Sequence, residues 1–428
     1  MSKVASRLPI LIGASWYFLE KAIRLIGAFL IGAWVARYLG PESYGALAYA
    51  LALVAVLGFL GSLGIESLVV RDLVEAKRDQ RSILSTYFFI RLAGSLLVPV
   101  LTAGYLMVTH ADDRLLMLLA TLCSSVIMFG ASDVADCWLQ ARHEAKTTSV
   151  IRLVGFFCGA LIRCLLIVGD YGVAWFAAVV VLESAIVAAL YYRLLQRYGL
   201  APSLRYVSVE EFKHLVLAGK MMVLSGLMNA VHSKIDVLVV GALLSKAAFG
   251  PYAIAVSMCA ACNMVGMSVV QAWAPRISKA RVSGEDAYVG ELRHLVQAML
   301  GISVVGSAIL AISSPLIFDI LLGPAYAAGS RIFALLIWSA VPVFVGIATS
   351  QVIVNERTYW VSVLRTLVGM ASSLILIFPA ITYYGTAGAA GVVIISACIN
   401  ASLILASRRS RRVIFLVLTN RPVPLVKP

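Results

Sequence analysis

The chain has 428 residues, 61% of them apolar and 13% charged, and carries a formal net charge of +14. Soluble domains run near about 45–50% apolar and about 25% charged, so a mean hydropathy of +0.95 excludes a chain solvated mainly by water. Segments between apolar runs stay below about twenty residues, too short for a soluble domain, and the placement of the basic residues accounts for the charge without nucleic acid.

A membrane helix needs about 20 mostly apolar residues. Twelve such spans are predicted, at 9–36, 43–66, 83–109, 115–141, 149–169, 173–195, 214–241, 248–273, 294–318, 331–353, 359–383 and 385–406. The start of the first imitates a signal peptide, with Lys3 and Arg7 before apolar residues. Its apolar run then meets Glu20 and Lys21 with no small-residue cleavage site, so it is expected to remain as the first helix.

Basic residues crowd alternate connections. One set holds Lys3 and Arg7, then Arg71, Lys77, Arg78 and Arg81, then Arg142 and Lys146, and continues to Arg357 and the tail arginines. The other set holds Arg37, Arg114, Lys246 and Arg331. This asymmetry predicts both termini on the cytoplasmic side. The expected organisation is a six-helix lobe over 1–199, a cytoplasmic linker over 200–213, a second six-helix lobe over 214–406 and a basic cytoplasmic tail over 407–428.

The lobes are related. Residues 38–50 match residues 243–255, with Tyr44-Gly45 facing Phe249-Gly250, and Tyr171-Gly172 before the sixth span matches Tyr384-Gly385 before the twelfth. Six spans per lobe make the repeat parallel, about an axis along the membrane normal. The tail carries Arg408, Arg409, Arg411 and Arg412 and then a six-residue apolar stretch too short to span; it is expected to rest on anionic lipid.

Charges within spans are expensive, at roughly 2.5–3.5 kcal/mol each, and normally face protein or water. The predicted spans hold the cations Lys21, Arg24, Arg91, Arg152, Arg163, Lys220, Lys234 and Arg365, and the acids Glu20, Asp133, Asp136, Glu183 and Asp236. The excess of cations predicts a wet, positively biased interior suited to an anionic cargo such as a phosphate. Glu20 and Arg24 share a helical face; they form either a locating ion pair or, through Arg24, part of a cavity wall. Asp133 and Asp136 stack on one face and serve either as partners of Arg152 or Arg163 or as proton or cation carriers, and Asp236 and Glu20 are further ion-coupling candidates. Arg91, Lys220 and Arg365 either snorkel to headgroups or line a vestibule. His232 reads as a packing residue.

Chemistry-bearing motifs are missing. There is no G-x-x-x-x-G-K-[ST], H-E-x-x-H or G-x-S-x-G, and none of the five histidines forms a cluster with another. The seven cysteines lie within spans, and Cys259-Ala-Ala-Cys262 has no second ligand pair. No cofactor, metal or enzymatic activity is expected.

Several stretches resemble the polysaccharide-export family that contains the O-antigen and exopolysaccharide flippases, within the multidrug/oligosaccharidyl-lipid/polysaccharide exporter superfamily. They are Arg37-Tyr-Leu-Gly-Pro-Glu-Ser-Tyr-Gly45; Asp236-Val-Leu-Val-Val-Gly241 with Phe249-Gly-Pro-Tyr-Ala253; Leu322-Gly-Pro-Ala-Tyr326 with Ile337-Trp-Ser-Ala-Val-Pro342; and Tyr384-Gly-Thr-Ala-Gly-Ala-Ala390. The resemblance implies an all-α membrane protein of twelve helices in two lobes around a central cavity, in the bacterial inner membrane. It implies a cargo of undecaprenyl-diphosphate-linked oligosaccharide, moved by alternating access, with Arg24 as the cavity arginine of the first span. A glycan polymerase and a chain-length regulator are implied as possible partners beside membrane lipids. Two other readings stay open: a cation-coupled drug exporter of the same superfamily, which should keep an acid-rich cavity, and a membrane-embedded glycan polymerase, which should carry a large outward loop.

Overall fold

The computed structural model describes residues 8–76, 78–356 and 358–419. The expected inward charges Lys3, Arg7, Lys77, Arg357, Arg421 and Lys427 lie outside the described residues. The described chain is helical throughout, without strands. It divides into two compact units, Met1–Lys234 and Ile235–Pro428; residues 200–213 fall inside the first.

The first unit runs α1 (Leu8–Leu57), α2 (Phe59–Ser62), α3 (Glu66–Glu75), α4 (Gln80–Thr109), α5 (Arg114–Phe129), a 3₁₀ turn at Gly130–Asp133, α6 (Val134–Ala141), α7 (Ala145–Val168), α8 (Val173–Arg197) and α9 (Val209–His232). The second runs α10 (Ile235–Leu243), α11 (Lys246–Ser283), α12 (Glu285–Leu322), α13 (Ala327–Leu336), a 3₁₀ turn at Ile337–Ser339, α14 (Ala340–Asn355), α15 (Tyr359–Ser402) and α16 (Arg408–Thr419).

Ten helical stretches among the described residues are long and apolar enough to cross a membrane. The twelve predicted spans become ten because two pairs are continuous. The first and second spans meet at Gly40, with φ 73° and ψ 169°, and the eleventh and twelfth at Gly385, with φ 57° and ψ −137°. A side chain at positive φ is costly, and glycine turns the chain there without that penalty. Pro41 then opens the next helical segment, where its missing N–H costs nothing. At Ser245, the residue matched to Gly40 in the repeat, the chain is again extended, and the serine hydroxyl caps α11 by accepting from the Ala248 N–H.

The internal repeat extends to hydrogen bonds. In each unit a membrane helix is interrupted by a 3₁₀ turn, at Gly130–Asp133 and at Ile337–Ser339. Each interruption is braced by a serine from a neighbouring helix. Ser95 Oγ shares its one proton between the Ile127 carbonyl at 3.0 Å and the Arg91 carbonyl of its own helix at 2.6 Å, and Ser307 Oγ donates to the Ile337 carbonyl at 3.0 Å. A 3₁₀ turn leaves carbonyls poorly satisfied, and without water in the bilayer interior only protein groups can complete them. Ser95→Ala and Ser307→Ala should each lower stability by about 1 kcal/mol. Thermal unfolding in detergent reads this; an unchanged midpoint in both variants would contradict the bracing role.

Each unit has its own apolar core, around Trp138, Tyr87 and Tyr191 in the first and around Tyr288, Phe344 and Met299 in the second. Large apolar side chains such as Val108, Val168 and Ile312 point outward. On a soluble protein such a surface would aggregate; here it is what a lipid-facing helix requires.

The segment over 200–213 is tied down. Ser85 Oγ and Thr86 Oγ1 on α4 accept from the backbone N–H groups of Ser203 and Ser208, and Arg78 pairs with Glu211 at 3.0 Å. The tail also departs from expectation. Its apolar residues Val413, Ile414, Leu416 and Val417 are buried in the core of the second unit rather than turned to lipid. Arg293 donates from Nη2 and Nε to the Leu416 and Val417 carbonyls at 2.8 and 3.0 Å, satisfying carbonyls in the last described turn of α16. The tail arginines Arg408, Arg409, Arg411 and Arg412 remain exposed.

Candidate functional site

A cavity of about 480 Å³ lies wholly within the first unit, a size in the range of small-molecule sites. Arg24 of α1, Arg91 of α4, Asp133 at the 3₁₀ turn, Arg152 of α7 and Glu183 of α8 supply its charge, and Gly58 and Gly61 let their segment pack close against Ile127 in the wall.

Each arginine meets a carboxylate. Arg24 Nη1 lies 3.0 Å from Glu20 Oε1, one helical turn back on α1. The two ends of this pair are unlike. The Arg24 side chain is 43% exposed and faces the cavity, whereas Glu20 is 1% exposed. The second Glu20 oxygen, Oε2, has no hydrogen-bond partner among the described residues.

Arg91 is arranged the other way round. It is 6% exposed and is gripped by Glu66 at 3.4 Å, Asp133 at 3.3 Å and the Tyr87 hydroxyl at 3.3 Å, with the Tyr87 ring beneath its guanidinium. It does not snorkel. The accessible members of this cluster are the acids, Asp133 being 42% exposed.

Asp136 holds a three-donor node. It accepts from Arg152 Nη2 at 2.8 Å, Thr148 Oγ1 at 2.9 Å and Gln140 Nε2 at 2.9 Å. Both oxygens of this carboxylate are thereby satisfied by side-chain donors. The fourth pair, Arg163 and Glu183, meets at 2.8 Å across α7 and α8, where the bare Gly159 lets the helices approach.

The structure therefore brings together Arg24, Arg91, Arg152 and Asp133 as wall residues, with Glu20, Asp136 and Arg163 directly behind as their partners or as partner of Glu183. Lys21 and Lys220 are exposed and line no part of this cavity. Lys234 follows α9 at the end of the first unit. Asp236 and Arg365 belong to the second unit. Arg365 is buried there; Nε donates to the Asn400 carbonyl at 2.9 Å and to Asn400 Oδ1 at 3.0 Å, and its guanidinium to the Gly346 carbonyl at 3.3 Å.

The expected cationic bias does not hold at this cavity. Arg24, Arg91, Arg152 and Arg163 are balanced by Glu20, Glu66, Asp133, Asp136 and Glu183. Desolvation is the reason: a charge taken from water is stable only when paired. The surplus cations Lys21, Lys220, Lys234 and Arg365 lie elsewhere. Glu66 and Glu183 escaped as site residues, although Glu183 stood in a predicted span and carried the signal of an in-membrane acid. The 42-residue separation of Arg91 and Asp133 gave no local signal at all.

Ten helical stretches able to cross a membrane among the described residues, with charged groups gathered in a cavity, define an all-helical, multi-pass membrane protein. The chain belongs to a family described as polysaccharide biosynthesis protein, whose model matches residues 34–328. Among solved structures it is similar to an inward-facing multidrug resistance MATE family transporter of the MOP superfamily, with TM-score 0.71 and 16% identity, covering 93% of this chain and 96% of that one. It is likewise similar to the lipid II flippase MurJ in an inward closed conformation, with TM-score 0.72 and 13% identity, covering 97% and 94%. A MOP superfamily transporter from Pyrococcus furiosus, with a binding pocket described as having reverse polarity, matches with TM-score 0.51 and 16% identity over 96% and 94%. Identities this low show the fold. No curated protein matches the sequence.

Proposed function

We propose that this protein is a flippase that moves undecaprenyl-diphosphate-linked oligosaccharide repeat units, of O-antigen or exopolysaccharide type, from the cytoplasmic to the periplasmic leaflet of a bacterial inner membrane by alternating access. Both termini are cytoplasmic in this reading, and no chemistry is performed on the cargo. Family membership supports a place in polysaccharide biosynthesis. The observation that carries the cargo assignment is the asymmetry of the Glu20–Arg24 pair, whose accessible end is the cation. Arg152 repeats the asymmetry, being more exposed than the Asp136 it pairs with. Guanidinium groups bind phosphate oxygens with two parallel N–H donors, and a diphosphate offers oxygens to both.

The exposed carboxylate of Asp133 favours a second reading, a cation-coupled drug exporter on the same fold. The two separate on whole cells lacking the gene. A flippase predicts loss of the surface glycan with unchanged susceptibility to cationic drugs. Unchanged glycan with raised susceptibility would move the assignment to drug export. Single repeat units surviving at the surface would point instead to a polymerase.

A further inference from the structure

Four carboxylates in or behind the cavity wall are held by more than one group or lie partly open to it, and one is not. Asp136 has three donors. Asp133 and Glu66 share Arg91 and are about four-tenths exposed. Glu183 is itself a wall residue. Glu20 alone is fully buried, depends on a single ion pair and leaves one oxygen without a partner among the described residues. Its one partner, Arg24, is the wall cation with the greatest exposure.

These facts set up an exchange. An anion bound in the cavity competes with Glu20 for the Arg24 guanidinium. If Arg24 turns to the anion, Glu20 is left as an isolated charge out of water, a state that costs several kcal/mol and that ionisable groups avoid by neutralising. The charged groups on elements packed against α1 include Arg81 and Arg91 on α4, Arg114 on α5, Lys146, Arg152 and Arg163 on α7, Glu183, Arg193 and Arg197 on α8, and Glu210, Glu211, Lys213, His214 and Lys220 on α9, with Lys21 beside Glu20 on α1 itself. Among the described residues Arg24 is paired with Glu20 and no second cation is.

We propose that binding of an anionic, diphosphate-bearing cargo at Arg24 is coupled to uptake of one proton by Glu20, so that cargo and proton bind together rather than in competition. This rests on the flippase reading of the same cavity. The balance is simple: the Glu20–Arg24 contact breaks, a diphosphate–Arg24 contact forms, and a proton from water adds to the Glu20 carboxylate. Coupling is reciprocal, so acid favours cargo binding and cargo favours protonation. Adding the proton removes the charge that Arg24 had balanced.

The test is calorimetry on the detergent-solubilised full chain with farnesyl-diphosphoryl-N-acetylglucosamine. A diphosphate substituted at both ends has no group titrating near neutrality, so every exchanged proton belongs to the protein. Titrations at one pH in two buffers of different ionisation enthalpy give the proton count. The expected result is uptake of about one proton per ligand, and affinity falling by up to about tenfold per pH unit in the alkaline direction. Glu20→Gln mimics the neutral acid; it should bind at least as tightly as wild type, with no proton uptake and a flat pH profile. Wild-type binding without proton uptake, or an undiminished proton count in Glu20→Gln, overturns the inference while leaving the flippase reading in place. No binding by the wild type removes the flippase reading itself, and the inference with it.

Discussion

Replacing Arg24 by alanine is expected to cut flipping of lipid-linked oligosaccharide about tenfold to a hundredfold, because a charge-assisted contact to phosphate contributes about 1.5–3 kcal/mol. A proteoliposome assay with a short-chain prenyl-diphosphoryl oligosaccharide reads the rate. Arg24→Lys should retain part of the activity, since the charge persists without the planar fork. The competing view is that Arg24 only neutralises Glu20 and positions α1. The double variant Arg24→Ala with Glu20→Gln distinguishes the two. It removes the buried acid along with its partner and should restore stability, yet transport should stay low. Recovery of transport in the double variant would return Arg24 to a purely structural role.

The largest stability effect is expected at Asp136. Its carboxylate gathers Arg152, Thr148 and Gln140 from α6 and α7. Asp136→Ala would leave the half-buried Arg152 without its paired carboxylate and deprive Thr148 and Gln140 of their acceptor. Breaking one side of a buried pair costs about 3–5 kcal/mol, so the unfolding midpoint in detergent should drop sharply. Asp136→Leu combined with Arg152→Met should lose much less, because no uncompensated charge remains. An Asp136→Ala protein as stable as wild type would mean that the node is wet and weak.

The distinction between Asp136 and Glu20 shows how far the sequence reading reached. Position in a span identified both acids, and i,i+4 spacing identified the Glu20–Arg24 pair. Spacing could not tell which carboxylate is saturated by donors and which depends on one, because Thr148 and Gln140 look like ordinary helix residues until the helices pack. Twelve apolar spans were legible from hydropathy, and the Gly40 and Gly385 turns from their glycines. The 3₁₀ turns at Gly130–Asp133 and Ile337–Ser339 were not: each lies inside a single predicted span, and the bracing serines come from another helix. The tail misled for a similar reason. A short apolar stretch after arginines fits lipid equally well, and only the placement of Arg293 at the end of α16 shows what covers it. The expected positive interior failed because counting charges along spans missed Glu66 at the end of its span and gave no weight to where Lys21 and Lys220 point.

The central claim is that this protein carries a lipid-linked glycan from one leaflet to the other. Its most direct test is the sidedness of undecaprenyl-diphosphate-linked repeat units in cells from which the gene is deleted, read by protection of the glycan in sealed, oriented membrane vesicles. Accumulation on the cytoplasmic face, cleared by reintroducing the wild-type chain, is the predicted result. Normal delivery of repeat units to the outer face in the deletion strain would contradict it.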